Sequence, residues 1–486
     1  MKPCLFAILR KKLESGDISA ESLASNAIER INQMEHSLNA IIHYDKKATM
    51  LAAKAADARL ALGEQGPMLG IPVVFKDNMH WKGLPVSNGS KIMKGYVAQY
   101  NSTVIQRLLD AGAVPIAKTN MDEFAMGSSG EYSAFGPTRN PWNLEKVPGG
   151  SSSGSAVSVA AGYAPFALGS DTGGSVRLPG SFCNVTAFRP TYGVLSRYGI
   201  TAMASSLDQV GPMGSSAQAV AAGLCVMAGV DKMDSNSVDL TALYRLANLT
   251  PAELKGLRIG LPKEYFTNDI EPDVRNTIAS ALSSLQSQGS ELVEISLPHT
   301  SYAIDAYYLI NTAEVYSNLA QFDGVRYGNR KSGNTISELI NQTRSYGFGQ
   351  EAKRRILLGA FCLSKGNYDA FYMKAAKTRS LISDDFQKAF QYVDVIATPT
   401  SPNSAFPLGD KITDPMSMYL ADVFTVTPSL ASLPAISIPA GFIAGMPVGL
   451  QLIGRSLDDI KLLELACAFQ NITNHHLKIP PPISRQ

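Results

Sequence analysis

Cross-links, membrane spans and charge of one sign are all scarce in this sequence. The five cysteines, Cys4, Cys183, Cys225, Cys362 and Cys467, are odd in number, far apart and never in C-x-x-C spacing. That excludes a disulfide framework and a thiolate zinc site, and leaves reduced thiols and no metal centre as the expectation. No apolar run reaches the ~18 residues a membrane-spanning helix needs. The opening M-K-P-C-L-F-A-I-L-R-K-K is broken by charge too early for a secretory signal. A soluble, cytoplasmic protein without a membrane partner is expected. With 43 basic and 41 acidic residues, the net charge gives no sign of a strongly basic face for nucleic acid. G-x-x-x-x-G-K-[ST] is missing, so a phosphate-cradling loop and an ATP site in this chain are not expected. No internal repeat or low-complexity tract is present.

What is there is apolar and patterned. Apolar residues make up 45% and charged ones 17% of 486, which is the composition of a globular chain with much buried surface. Helical spacing of Leu23, Ala27, Ile28 and Ile31 behind Ser19 predicts a helix over 19–34. A second, Ala-rich helix follows over 46–62, ending at Gly63. These two are expected to pack outside the core as an N-terminal arm within 1–65. G-I-P-V-V-F-K-D-N-M (70–79) reads as a buried strand that delivers Lys76 to its end, a usual place for site residues in α/β folds. Alternation then continues with a helix from 101 closed by Gly112, a strand over 113–120, and a helix over Ser216–Ala228. A polar connection spans 231–256, and 257–262 is a strand. Helices follow at 273–288, 302–322 and across 335–392. Short strands at 393–400, 433–439 and 448–454 precede a last helix at 457–470. The late strands are too short for a core of their own. One α/β domain over 1–486 is expected, with a large mixed sheet covered by helices on both faces, a core at 66–230 and the remainder at 231–486.

The densest chemistry lies at 147–180. Gly149-Gly150-Ser151-Ser152-Ser153-Gly154 and Asp171-Thr172-Gly173-Gly174-Ser175 flank a run of small residues long enough for a short helix and a buried strand. Gly150-Ser151-Ser152-Ser153-Gly154 satisfies the G-x-S-x-G elbow pattern, but that mechanism needs a later histidine. Only His299, His475 and His476 follow, in polar or terminal surroundings. Two plain tight turns are the bland alternative. A third reading needs no histidine: a buried Lys76 would lose its proton more readily, because desolvation disfavours the ammonium form. It could then draw a proton through one serine from a second, nucleophilic one.

G-I-P-V-V-F-K-D-N, P-G-G-S-S-S-G-S-A and G-S-D-T-G-G-S-V-R-L-P, in this order, resemble the amidase signature family. The resemblance implies Lys76 as base, Ser151 as bridging serine in a cis peptide and Ser175 as nucleophile. Backbone N–H groups of Thr172, Gly173, Gly174 and Ser175 would form the oxyanion hole. Segments 120–128, 313–328, 347–359 and 419–426 resemble one branch of the family, the glutaminase subunits of tRNA-dependent amidotransferases. That implies a glutamine pocket in which Arg355 meets the α-carboxylate, Asp422 the α-ammonium, and Tyr307 contributes. It further implies a heterotrimer with B and C subunits, with ATP and Mg²⁺ held by one partner, which also holds the charged tRNA. A stand-alone amidase for small amides is the alternative. Ser153, Leu178, Gly180 and Ala187 depart from the usual pattern.

Overall fold

The computed structural model describes residues 5–240, 246–267 and 269–483. Cys4 and part of the polar connection at 231–256 lie outside them. Among the described residues one sheet holds eleven strands. In chain order these are β1 (Ile41–Tyr44), β2 (Pro72–Lys76), β3 (Val114–Thr119), β4 (Phe166–Asp171), β5 (Thr186–Arg189) and β6 (Gln209–Gly214). They continue with β7 (Arg258–Pro262), β8 (Glu291–Ile295), β9 (Val395–Pro399), β10 (Ala435–Ile443) and β11 (Met446–Ile453). The spatial order is β1-β3-β2-β4-β6-β5-β10-β11-β9-β7-β8.

The sheet is mixed. β2 runs parallel to β3 and β4, and β7 parallel to β8 and β9. The other pairs are antiparallel. β2, P-V-V-F-K, is buried along its whole length, as expected of a parallel strand flanked on both edges and covered on both faces. Successive side chains alternate, so Lys76 and Asp77 part company at its end. Asp77 pairs with the buried Lys118 at 2.9 Å. Lys118 also donates to the carbonyls of Met79 (2.9 Å) and Pro85 (3.0 Å), anchoring the turn that follows Lys76.

Most helices fall where periodicity sets them. Ala20–Leu38 begins on Ser19, whose hydroxyl accepts the Ser22 N–H at 3.0 Å. Lys46–Ala61 begins on Asp45, whose carboxylate accepts from Lys47 and Ala48. The expectation that these helices lie outside the core is corrected. Ala24, Ala27, Ile31, Leu38, Ala53 and Ala56 belong to the apolar cluster that runs from Phe6 to Phe469. Between the helices, β1 pairs antiparallel with β3. Their inward faces are mainly alanine, which allows close approach to the sheet but leaves little amphipathic contrast to read. β5, β6 and β8 also escaped the pattern: β5 has four residues, β6 carries glycine and proline, and β8 is partly exposed. β9, β10 and β11 lie in the same sheet as β2 and β4.

Among the described residues no helix is long and apolar enough to cross a membrane. Cys183, Cys225, Cys362 and Cys467 form no disulfide.

Candidate active site

Lys76 ends β2 with no solvent exposure. Its Nζ donates to the hydroxyls of Ser151 (2.7 Å), Ser152 (2.9 Å) and Ser170 (3.0 Å). Burial pulls its pKa down to about 7, although Asp122, Asp171 and Asp208 pull the other way. A lysine held there is substantially neutral at neutral pH and can take a proton from a hydroxyl.

Two loops converge on it. The first follows the loop that ends at Gly150, whose peptide bond to Ser151 is cis. Behind it sits Asp122, whose carboxylate accepts from Gly130 N (3.1 Å) and Tyr132 N (2.9 Å). Burial raises Asp122 to about 6, against those hydrogen bonds. Ser152 then leads into the short helix Ser153–Ala160. The second loop leaves the C-terminal end of β4 and runs into the helix Arg177–Cys183. It is braced by Asp171, which receives Arg177 through Nε (3.0 Å) and Nη2 (2.8 Å) and lies 3.3 Å from Arg189. Burial alone would raise the Asp171 carboxyl, but the two guanidiniums hold it well below the usual range. The loops are tied together by Ser152 N, which donates to Ser175 O at 3.0 Å. Ser175 retains 8% exposure, whereas Ser151, Ser152 and Ser153 have none.

Glycine is required between Thr172 and Ser175. A β-carbon on Gly173 would lie 2.5 Å from Tyr307 Cζ, and one on Gly174, at φ +145°, would overlap Thr425 and approach Asp422 Oδ1 to 2.9 Å. Thr425 Oγ1 donates to Gly173 O at 2.7 Å, and Thr172 Oγ1 to Asp208 at 2.6 Å. This brings Tyr307 and Asp422, far away in sequence, against the glycine loop.

Asp422 is buried, with Oδ2 accepting from Ser128 and Oδ1 meeting no partner. Burial raises it to about 7, while Ser128 and Arg355 act in the opposite sense. Arg355 is buried on the helix Gln350–Leu363. Its Nε donates to Glu351 at 2.8 Å and its Nη1 to Asn311 at 3.3 Å, and its guanidinium stands 5.1 Å from the Tyr308 ring. Tyr307 and Tyr308 meet edge to face at 5.1 Å. The arrangement therefore offers a deprotonatable lysine, serines, a glycine loop with backbone donors, and an acid and a guanidinium in the adjoining wall.

The elbow reading is overturned. Ser152, its central serine, is wholly buried, and its hydroxyl donates to Ser170 O at 3.2 Å besides receiving Lys76. His299 is engaged with Asp385 at 3.0 Å, and His475 and His476 lie in a short turn after the last helix. The departures also find their places. Ser153 donates to Thr138 at 3.3 Å and not to Lys76. Leu178 sits in an apolar cluster with Val147, Phe182 and Phe406. A β-carbon on Gly180 would overlap that of Ala187, so these two positions share room for one methyl. Sequence reasoning missed Ser128, Ser170, Asn311, Glu351 and Tyr308. Ser170 falls inside the third signature motif and Ser128 and Glu351 inside the branch segments, whereas Asn311 and Tyr308 lie in none of them. A cavity of about 800 Å³ is lined by His80, Tyr96, Tyr100 and Tyr327 and includes none of the serines. The site is therefore assigned from its polar chemistry.

A lysine on a serine pair beside a glycine loop, set on a mixed α/β sheet, is equipment that can activate a hydroxyl without a histidine. The Amidase family model matches residues 22–463, and the chain belongs to that family. It is 48% identical to the A subunit of glutamyl-tRNA(Gln) amidotransferase from Methanosarcina mazei, over 98% of this chain and 99% of the relative. It is 49% identical to the corresponding protein of Carboxydothermus hydrogenoformans, over 97% and 98%. The crystal structure of the A subunit of glutamyl-tRNA(Gln) amidotransferase from Thermotoga maritima superposes with a TM-score of 0.77 at 38% identity, covering 93% and 91% of the two chains.

Proposed function

We propose that this chain is the glutamine-hydrolysing subunit of a glutamyl-tRNA(Gln) amidotransferase, with Ser175 as nucleophile, Ser151 as proton bridge and Lys76 as base. The near-half identity to A subunits over the whole length supports the biological role. The observation that carries the substrate is the presence, beside the glycine loop, of a buried acid with one oxygen left unpartnered together with a buried guanidinium. Asp422 and Arg355 match the α-ammonium and α-carboxylate of a free amino acid, a match that a neutral amide would leave unused.

Neutral Lys76 takes the Ser151 proton as Ser151 takes that of Ser175, and Ser175 Oγ attacks the side-chain amide carbon. N–H groups of Thr172, Gly173, Gly174 and Ser175 stabilise the oxyanion. The C–N bond breaks, the relayed proton returns to the nitrogen, and ammonia leaves a γ-glutamyl ester on Ser175. Water attacks that ester by the same relay, releasing glutamate and restoring the hydroxyl.

Ammonia then serves Glu-tRNA(Gln), and Asp-tRNA(Asn) where that is also an acceptor, in a cytoplasmic heterotrimer with B and C subunits. ATP with Mg²⁺ and the charged tRNA are held by the partner. The test follows amide transfer to charged tRNA, from glutamine or ammonium, by the chain alone and co-expressed with candidate partners. Transfer only in the complex is expected. Unaided transfer by the isolated chain, or full-rate hydrolysis of simple amides without any partner, contradicts the reading; the latter result favours a stand-alone amidase.

A further inference from the structure

We propose that Asn311 is a specificity-determining residue of this site, giving one amide N–H to the α-carboxylate of the amino-acid substrate beside Arg355. The inference rests on the reading of the site as a glutamine pocket. Asn311 is wholly buried in the helix Ala303–Leu319. It stands one turn beyond Tyr307, so the two side chains share a helix face, and Tyr307 already lies against Gly173.

The orientation of the amide is fixed by chemistry. Arg355 Nη1 donates to Asn311 Oδ1 at 3.3 Å, and a guanidinium has only donors. Turning the amide over would set N–H against N–H, so Oδ1 faces Arg355 and Nδ2 faces away. There Nδ2 is buried and meets no protein acceptor. Such a group is unfavourable in the empty fold and is well explained by an acceptor that arrives with a ligand.

The neighbourhood names that acceptor. Arg355 is held by Glu351 at Nε and Asn311 at Nη1. Glu351 is itself fixed by Arg354 and by the Tyr419 hydroxyl at 2.9 Å. A carboxylate against the remaining guanidinium edge has a second oxygen to offer to Asn311 Nδ2. Across the glycine loop, Asp422 Oδ1 is the complementary orphan, an acceptor without a donor. One orphan donor and one orphan acceptor suit the two ends of an amino-acid head group. Asn311 therefore does two things: it steadies Arg355 and it reads the carboxylate.

The test compares glutamine with its α-methyl ester, which keeps the side-chain amide and the ammonium but lacks the anionic carboxylate. Wild type, Asn311→Ala and Asn311→Asp are purified with co-expressed partners, and kcat and KM are measured on both substrates. Asn311→Ala is expected to raise KM for glutamine about tenfold with kcat changed less than about twofold, and to leave kcat/KM for the ester within about threefold. Asn311→Asp has nearly the same volume and can still receive Arg355, but it sets a negative charge against the carboxylate. Its loss on glutamine should approach about a hundredfold, again sparing the ester. If melting curves show that the alanine variant is unfolded, the aspartate variant decides alone. Equal losses on both substrates, or an unchanged KM for glutamine in a folded variant, overturn the proposal. A wild type that does not prefer glutamine to the ester removes the glutamine pocket itself, whereas a selective wild type with an equally selective variant removes only Asn311.

Discussion

The Lys76 side of this site and the Arg355–Asp422 side are built on opposite terms. Around Lys76 the hydroxyls of Ser151, Ser152 and Ser170 are all engaged by its Nζ, and the supporting Asp171 is gripped by two guanidiniums. Across the glycine loop, Asp422 Oδ1 and Asn311 Nδ2 are buried and unpartnered. The first region is preassembled and can keep its geometry without substrate, as electrostatic preorganisation requires. The second keeps one buried donor and one buried acceptor free, which the proposed function assigns to the substrate. The difference separates bond breaking from recognition within one site, and it makes the two separately breakable.

Damage to the preassembled side should fall on every substrate alike, and the largest effects belong there. Ser175→Ala is expected to abolish acyl-enzyme formation on glutamine and on a neutral amide, read by single-turnover release of ammonia. Lys76→Ala should lower kcat by about 10²–10⁴-fold on both. Arg177→Leu leaves Asp171 with an uncompensated share of buried charge and should cost about 3–5 kcal/mol of stability, measured by denaturant unfolding. Damage to the open side should fall on glutamine alone. Arg355→Ala is expected to lower kcat/KM for glutamine about a hundredfold while a neutral amide changes little, and Arg355→Lys should recover only part, because lysine cannot reproduce the fork. Equal losses on both substrates would make Arg355 structural and erase the comparison.

The smallest effect sharpens the comparison most. Lys76 must be neutral to act as base, and burial sets its pKa near 7. Activity on any amide should therefore fall about tenfold per pH unit below that point. Asp422 must be charged to hold an ammonium, and burial sets it near 7 as well. Both groups fail in the same direction as pH drops, so kcat/KM for glutamine should fall with a limiting slope approaching about two, against about one for a neutral amide. Identical slopes would mean that Asp422 is not read by the substrate.

The two sides also differ in how far the sequence exposes them. Lys76 could be placed because V-V-F-K is a short apolar run ending in charge, and the serine clusters because glycine marks their turns. Their meeting follows from the parallel pairing of β2 with β4, which sets the end of β2, the Ser151 loop and the end of β4 side by side. The pocket has no such locality. Arg355 stands beside Lys353 and Arg354, and nothing in periodicity distinguishes the buried one from its neighbours. Only family resemblance singled it out, along with Tyr307 and Asp422. Asn311 lies outside even that, since its role depends on a partner that is missing. The alanine faces of the first two helices hid their place in the core for a related reason: small residues pack well but carry little pattern.

The central claim, that the chemistry is preassembled on Ser175 through Ser151 and Lys76, is tested most directly by covalent trapping. The protein, purified with its partners, is treated with an electrophilic glutamine analogue, digested, and mapped by mass spectrometry. The account predicts a single adduct on Ser175, absent from Ser175→Ala and formed far more slowly in Lys76→Ala. An adduct on Ser152 or Ser153, or labelling of Ser175 that does not depend on Lys76, would contradict it.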